Sequence, residues 1–318
     1  MSRNRFRSII VPVDGSELAE GAIPFALAIA ERAHAKIRFV LVHPQQFPPL
    51  LIEPAKVYLK ALTRRYKEEF KRSVSSIILN GPVARTLTRY ARDIGADLMV
   101  MTSHGRGGVR RAWLGSVADQ LIRATELPVL VVRPGEDGQV PGVYVGQILV
   151  PLDGSPLSES AIEPAAALAK LWEAEIELLQ VVPPVAVNSD PAMPFPATYD
   201  DELTGIRRDT AEDYLRDLSE RLRNQGTRAS GTAVVSQTGL AQTVLDLARP
   251  ERVSLIAMAT HGRGGLRRLV LGSVTDKVVR AAPMSVLVVP PRRPVAKERQ
   301  GKPQRVRALT VGEEFAFA

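Results

Sequence analysis

The 318-residue chain contains no cysteine. That excludes disulfides, thiolate zinc sites and thiol catalysis, and it fits a reducing compartment. It also lacks any apolar run of about 18 residues, the length a helix needs to cross a bilayer. The first apolar stretch, Ile9 to Val13, meets Asp14 at once and is too short for the core of a secretory signal. A cytoplasmic protein with no membrane partner is therefore expected. A uniformly basic body is missing too. Residues 1–140 carry 21 Lys and Arg against 13 Asp and Glu, residues 141–290 carry 14 against 18, and residues 291–318 carry 7 against 3. The net charges are +8, −4 and +4, so one half is basic and the next acidic. A nucleic-acid binder usually carries its basic stripe through the folded core, which makes nucleic acid an unlikely partner here. Opposite charge on the halves instead suits attraction between them across an interface, or simple drift on solvated faces.

What is present is a repeat. Leu98 to Val117 reads Leu-Met-Val-Met-Thr-Ser-His-Gly-Arg-Gly-Gly-Val-Arg-Arg-Ala-Trp-Leu-Gly-Ser-Val, and it returns as Leu255 to Val274. Over residues 98–133 and 255–290, 20 of 36 positions are identical. The length itself suggests two domains. Strand one ends in Asp14-Gly15-Ser16 in the first copy and in Asp153-Gly154-Ser155 in the second. Ser16 and Ser155 are N-cap residues for helices expected over about 18–33 and 157–172, with Pro24 and Pro164 one to two turns inside. Further strands are expected at 36–42, 74–79 and 129–132, matched by 175–181, 231–235 and 286–289. Charged helices are expected over about 56–71 and 202–223. Each strand is a continuous aliphatic run and alternates with a helix, the pattern of a parallel sheet covered on both faces. The fold class is α/β, as two repeated, doubly wound open parallel-sheet domains. Domain 1 spans 1–134, a Gly- and Pro-rich linker 135–144, domain 2 145–290, and a basic tail of disordered composition 291–318. The second copy carries about 18 extra residues in Pro183 to Asp201, which read as a long loop with no helix or strand pattern of its own.

In open α/β sheets, ligands sit beyond the carboxyl ends of the strands where the strand order reverses. Two such ends in each copy carry unusual residues: Asp14 and Asp153 after strand one, and the glycine loops after strand four. Glycine-rich backbone followed by a helix N-terminus makes an anion site, most often for phosphate. Asp14 is alternatively a plain turn residue. Neither common glycine template fits. No lysine follows the loop, so there is no P-loop, and the dinucleotide fingerprint fails at Arg110 and would have to follow strand one.

The spacing Gly105-x9-Gly115-Ser116, repeated as Gly262-x9-Gly272-Ser273, resembles the ATP-binding motif Gly-x2-Gly-x9-Gly-[Ser/Thr] of the universal stress protein family. Val-Pro-Val-Asp at strand one, His-Gly-Arg-Gly-Gly, Leu-Gly-Ser-Val and the closing Pro-Val-Leu-Val-Val extend the likeness over roughly residues 5–134 and 145–290. The resemblance implies the family's adenine-nucleotide α-hydrolase-like fold, with the family's dimer fused into one chain and its domains paired about a pseudo-twofold axis. It also implies ATP with Mg2+ as ligand. Val13, Asp14 and Val42, with Leu152, Asp153 and Val181, would hold the adenine. Met101 and Met258 would line the site. Gly105 and Gly262 would approach ribose and phosphate, and Gly115-Ser116-Val117 and Gly272-Ser273-Val274 would bind the phosphates. Both copies depart from the motif at its first glycine, where Thr102 and Ala259 stand. Ala259 adds the smaller side chain, so the second copy is expected to be the better site.

His104 and His261 have no evident acid or nucleophile beside them and read as loop histidines rather than general bases. Arg106, Arg110 and Arg111, with Arg263, Arg267 and Arg268, either neutralise phosphate or are solvated charges. Arg-Gly-Gly as an RNA-binding element wants several repeats in a disordered chain with aromatics, unlike this stretch between strand and helix. Asp119 and Asp276 fall in a helix first turn, where the dipole accounts for them. With no water-activating acid or metal cage visible, steady ATP hydrolysis is not expected and no catalytic or protein-held metal residue is assigned. The expected function is adenine-nucleotide binding in a stress response, read by a protein partner that the sequence does not name. The alternatives are a nucleotide-free scaffold of the same family and a slow ATP-hydrolysing enzyme. A further homodimer is left open.

Overall fold

The computed structural model describes residues 5–44, 52–70, 73–103, 114–133, 143–188, 198–249, 252–260 and 271–291. The glycine loops with His104, Gly105, His261, Gly262 and their arginines, most of the 135–144 linker and the tail beyond Pro291 lie outside the described residues. Two compact units divide between Val143 and Tyr144, and the second ends at Val289.

The first unit contains β1 (Ser8–Pro12), α1 (Glu17–Glu20), α2 (Ile23–Ala33), β2 (Lys36–His43), α3 (Ile52–Glu69) and β3 (Val74–Asn80). It continues with α4 (Val83–Asp93), β4 (Leu98–Thr102), α5 (Ser116–Ala124) and β5 (Val129–Val132). Its strands lie in the order β3-β2-β1-β4-β5, all parallel. The chain builds outward from β1 to β3, then crosses to the other side of β1 for β4. The reversal between β1 and β4 is the crevice where such sheets take ligands. All five residues of β4 are buried, as a central strand covered on both faces requires.

The second unit repeats this plan with β6 (Gln147–Leu152), α6 (Pro156–Glu159), α7 (Ile162–Trp172), β7 (Glu175–Val182), β8 (Val185–Asn188), β9 (Thr198–Asp200) and α8 (Asp201–Asn224). β10 (Ala229–Val235), α9 (Leu240–Leu247), β11 (Leu255–Ala259), α10 (Ser273–Ala281) and β12 (Ser285–Val289) complete it. Its parallel order is β10-β7-β6-β11-β12, with the reversal between β6 and β11.

Two expectations need correction. The helices expected over 18–33 and 157–172 each divide into a short first turn and a longer helix. Pro24 and Pro164 stand at the start of α2 and α7, where a missing N–H costs no intrahelical bond. Ser16 and Ser155 cap only the short α1 and α6, accepting from Ala19 and Ser158 N–H at 3.2 Å. The 183–201 insertion is not patternless, because β8 and β9 pair antiparallel, with Val185 opposite Asp200. Asp200 then caps α8 by accepting from Leu203 N–H at 2.8 Å. Residues 189–197 between these strands lie outside the described residues.

Candidate functional site

The turn after strand one is built the same way in both units. Gly15 and Gly154 take φ of +83° and +77°, the left-handed region that glycine enters without penalty. Asp14 Oδ1 accepts from the N–H and hydroxyl of Ser16 at 3.0 and 2.6 Å. Asp153 Oδ1 accepts from Ser155 N–H at 2.9 Å. One oxygen of each carboxylate therefore holds the turn, and the turn reading applies to both aspartates. Beyond strand four, Gly115 N–H donates to Ser103 O and Gly272 N–H to Thr260 O, both at 2.8 Å. These bonds fix where α5 and α10 start. Among the described residues neither N-terminus receives a side-chain cap, although Asp119 and Asp276 lie in the first turns. The first N–H groups of each helix have no intrahelical acceptor and carry the positive end of the dipole.

In the second unit these pieces meet around a cavity of about 1050 Å³, at the upper end of the roughly 300–1,000 Å³ usual for small-molecule pockets. Leu152 and Asp153 from the end of β6, Val181 from β7 and Met258 from β11 all line it, as do Gly272, Ser273 and Val274 at the start of α10. Seven of the eight residues expected for the second copy thus share one cavity, and Gly262 lies outside the described residues. Ala259 lines it as well. Its carbonyl accepts from the Thr275 hydroxyl at 2.8 Å, tying β11 to α10.

The first unit sets Val13, Asp14, Val42, Met101, Gly115, Ser116 and Val117 at the equivalent ends of β1, β2, β4 and α5. Val13 N–H donates to Val40 O at 3.0 Å. Thr102 there is 5% exposed. Arg133, just past β5, donates from Nη1 to the Ser103 hydroxyl at 3.2 Å. Burial pulls its guanidinium below the usual arginine range.

The sequence reading missed one wall of the second-unit cavity. Arg207, Thr210, Ala211 and Tyr214 of α8 face it, a spacing of i, i+3, i+4, i+7 that defines one helix face. Among the described residues, Asp153 and Arg207 are the charged members of the lining. The Tyr214 hydroxyl donates to Glu159 Oε1 at 3.0 Å, joining α8 to α6. Burial pushes this phenol upward, and Glu159 and Asp153 add to the shift. The first unit has the same pair: Tyr58 O–H donates to Glu20 Oε1 at 2.9 Å, with an upward shift led by burial. Aligning the copies at these positions, Glu20 with Glu159 and Tyr58 with Tyr214, was the available signal.

Comparison with known proteins bears on this arrangement. The sequence profile of the universal stress protein family matches residues 5–133 and 145–290. The chain belongs to the universal stress protein family. A universal stress protein of Mycobacterium tuberculosis is 30% identical over 223 residues, covering 67% of this chain and 68% of that protein. A second from the same species is 28% identical over 308 residues, covering 90% and 97%. Among solved structures, a putative universal stress protein from Pseudomonas aeruginosa superposes with a TM-score of 0.66 at 17% identity, covering 92% of this chain and 96% of that one. One from Archaeoglobus fulgidus gives 0.63 at 16% identity, covering 91% and 98%. These likenesses establish a tandem of two domains of the family's fold. Among the described residues no helix is long and apolar enough to cross a membrane.

Proposed function

We propose that the second unit binds an adenine nucleotide, ATP carried with Mg2+, and that the protein reports nucleotide state in a stress response. The observation supporting this is the single cavity shared by Leu152, Asp153, Val181, Met258 and Gly272 to Val274, with an uncapped helix N-terminus in its wall. Each part has a role. The apolar Leu152, Val181 and Met258 offer a slot for a base. The N–H groups opening α10 and the Ser273 hydroxyl offer donors to phosphate oxygens. Arg207 adds a positive charge to the rim. Among the described residues there is no cluster of three or more His, Asp or Glu to cage a metal. A magnesium ion would then arrive on the phosphates, which suits its reluctance to shed water. In this reading a protein partner senses the nucleotide-bound form.

The first unit is the weaker site, and a specific residue makes it so. Thr102 places a branched side chain where the ATP-binding motif has glycine.

The test is to denature freshly purified protein and quantify the released small molecules per chain. About one equivalent of adenine nucleotide is expected. None released, with no heat on titrating ATP and magnesium, would reject the reading in favour of a nucleotide-free scaffold. ADP or AMP alone would point to slow hydrolysis.

A further inference from the structure

The opposite end of the first unit carries a second concave feature. A crevice of about 440 Å³ opens at the N-terminal ends of β1, β2 and β3, lined by Arg7, Ser8, Lys36, Arg38, Ser73 and Asp97 among others. Among the described residues its one carboxylate, Asp97, is already committed. Asp97 Oδ2 accepts from the backbone N–H of Arg7 at 2.8 Å and of Ser8 at 2.9 Å. The Arg38 guanidinium is held by neutral partners, donating to the Ser75 hydroxyl at 3.1 Å and to the Tyr90 hydroxyl at 2.9 Å. Among the described residues, none of Arg7, Lys36 and Arg38 lies within ion-pair distance of a carboxylate. Among the described residues, three cations and one carboxylate thus converge on a space large enough for a small molecule, and together they carry a net charge near +2.

The second unit provides an internal control. Lys36 N–H bonds Arg7 O, and at the matching place Glu175 N–H bonds Gly146 O. The strand register carries the match onward, so Arg7, Lys36, Arg38 and Asp97 become Gly146, Glu175, Glu177 and Ser254. Ser254 does the structural work of Asp97, its hydroxyl accepting from Gly146 N–H at 3.0 Å. Glu175 and Glu177 are engaged locally, by the Ser230 hydroxyl at 3.1 Å and by Gln147 Nε2 at 3.0 Å. The second unit forms the same register without the cations, so the register does not require them.

From this we infer that the crevice formed by Arg7, Lys36, Arg38 and Ser73 is a binding site for a small phosphorylated molecule, separate from the nucleotide cavity. A phosphomonoester carries about −1.5 to −2 charges at neutral pH and three acceptor oxygens. That matches the charge of the crevice and its supply of guanidinium, ammonium and hydroxyl donors. Arg38 is pre-positioned by Ser75 and Tyr90, which reduces the ordering cost of binding.

The test uses the full-length protein with labelled isoleucine and methionine methyl groups, titrated with inorganic phosphate against sodium chloride of equal ionic strength. Ile37 and Ile94 line the crevice, whereas Met258 lines the second-unit cavity. Saturable shifts at Ile37 and Ile94 are expected with phosphate but not with chloride. Lys36→Glu, which installs the residue of the second unit at an exposed position, is expected to weaken them at least about tenfold. Arg38→Lys keeps the charge and should weaken binding less. Four results would overturn the inference: equal shifts with chloride, shifts unchanged in Lys36→Glu, shifts confined to Met258, or shifts that depend on protein concentration without phosphate. The last would mean that the crevice receives the acidic face of a second copy.

Discussion

The two units of this chain share strand order, turn chemistry and even a half-buried Tyr–Glu bond, yet they diverge at both ends of the sheet. At the carboxyl end, the second unit has Ala259 and a 24-residue α8 whose Arg207, Thr210 and Tyr214 face a large cavity, while the first has Thr102 and an 18-residue α3. At the amino end the charges invert, Lys36 and Arg38 against Glu175 and Glu177. Features common to both copies include those that the fold needs. Features that differ are where one copy has been released to do something else. The shared Asp-Gly-Ser turn belongs to the first group, and the open α8 face and the cationic crevice to the second.

The sharpest way to break the comparison is to fill the backbone cradle at each helix N-terminus in turn. Gly272→Val sets a branched side chain over the first N–H groups of α10. It is expected to reduce nucleotide affinity by about a hundredfold or more, a loss of roughly 2.7 kcal/mol or greater. Gly115→Val should leave the number of nucleotides per chain unchanged. Calorimetric titration of both variants checks this. An unchanged Gly272→Val, or a Gly115→Val that loses the nucleotide, would reverse the ranking of the units.

Packing under the long helices gives the next contrast. Gly231 in β10 corresponds to Ser76 in β3, since Ala229 and Val74 both pair with the second residue of the preceding strand. Ser76 accommodates its side chain by accepting from the Thr63 hydroxyl at 2.8 Å. A Cβ on Gly231 would instead stand 2.7 Å from Leu215 Cβ and 3.2 Å from the Leu215 carbonyl oxygen. α8 therefore lies closer to its strand than a side chain allows. Gly231→Ser should cost about 1–3 kcal/mol by overpacking, whereas Ser76→Gly should cost less. Urea unfolding reads both, and equal effects would show that the two helices sit alike.

Exchange of the motif residue sharpens the functional contrast. Ala259→Thr reproduces the first unit's residue at the second site and should weaken nucleotide binding about tenfold, near 1.4 kcal/mol. Thr and Ala are both compatible with a buried strand end, so the fold should survive. Undiminished affinity in Ala259→Thr would mean that something other than Thr102 separates the units.

Much of this was legible in the residues because it was written twice. The strand runs are continuous and aliphatic, so β1, β4, β5 and their copies announce a buried parallel sheet with little ambiguity. The start of α5 and α10 was readable to the residue because Gly-Ser follows a loop that no helix pattern can cross. Three features were not legible, each for a physical reason. Pro24 and Pro164 are compatible with a kinked helix or with a fresh helix start, and only the cap at Ser16 or Ser155, spent on a single turn, decides. The β8–β9 ribbon is short and lies in a Pro-rich stretch, where alternation has too few residues to register. The α8 wall of the cavity depends on which face of a charged helix turns toward the strand ends. Periodicity defines that face as 207, 210, 211 and 214, but it does not state what lies opposite.

The smallest expected effect concerns a feature the copies share. Tyr58 and Tyr214 each donate to a glutamate from a half-buried position, and burial, the first cause, holds both phenols protonated beyond their ordinary range. A tyrosine whose folded pKa is raised contributes in full below the unfolded value near 10 and loses that contribution as the pH rises through the folded value. Stability should therefore be flat with respect to these groups at neutral pH and should fall above about pH 10, because the unfolded chain then releases protons that the native state retains. Tyr214→Phe removes one hydrogen bond, costing about 0.5–1.5 kcal/mol at pH 7, and should flatten the alkaline decline. Tyr58→Phe should do the same in the first unit. Of the two, only Tyr214→Phe should also alter nucleotide affinity, because Tyr214 lines the second-unit cavity. Unfolding at pH 7 and pH 10.5, paired with nucleotide titration, separates the two roles. Equal stability losses with affinity changed only in Tyr214→Phe would mean that one conserved-in-copy bond has been put to a ligand's use in a single unit. Affinity unchanged in both would return the pair to the fold alone.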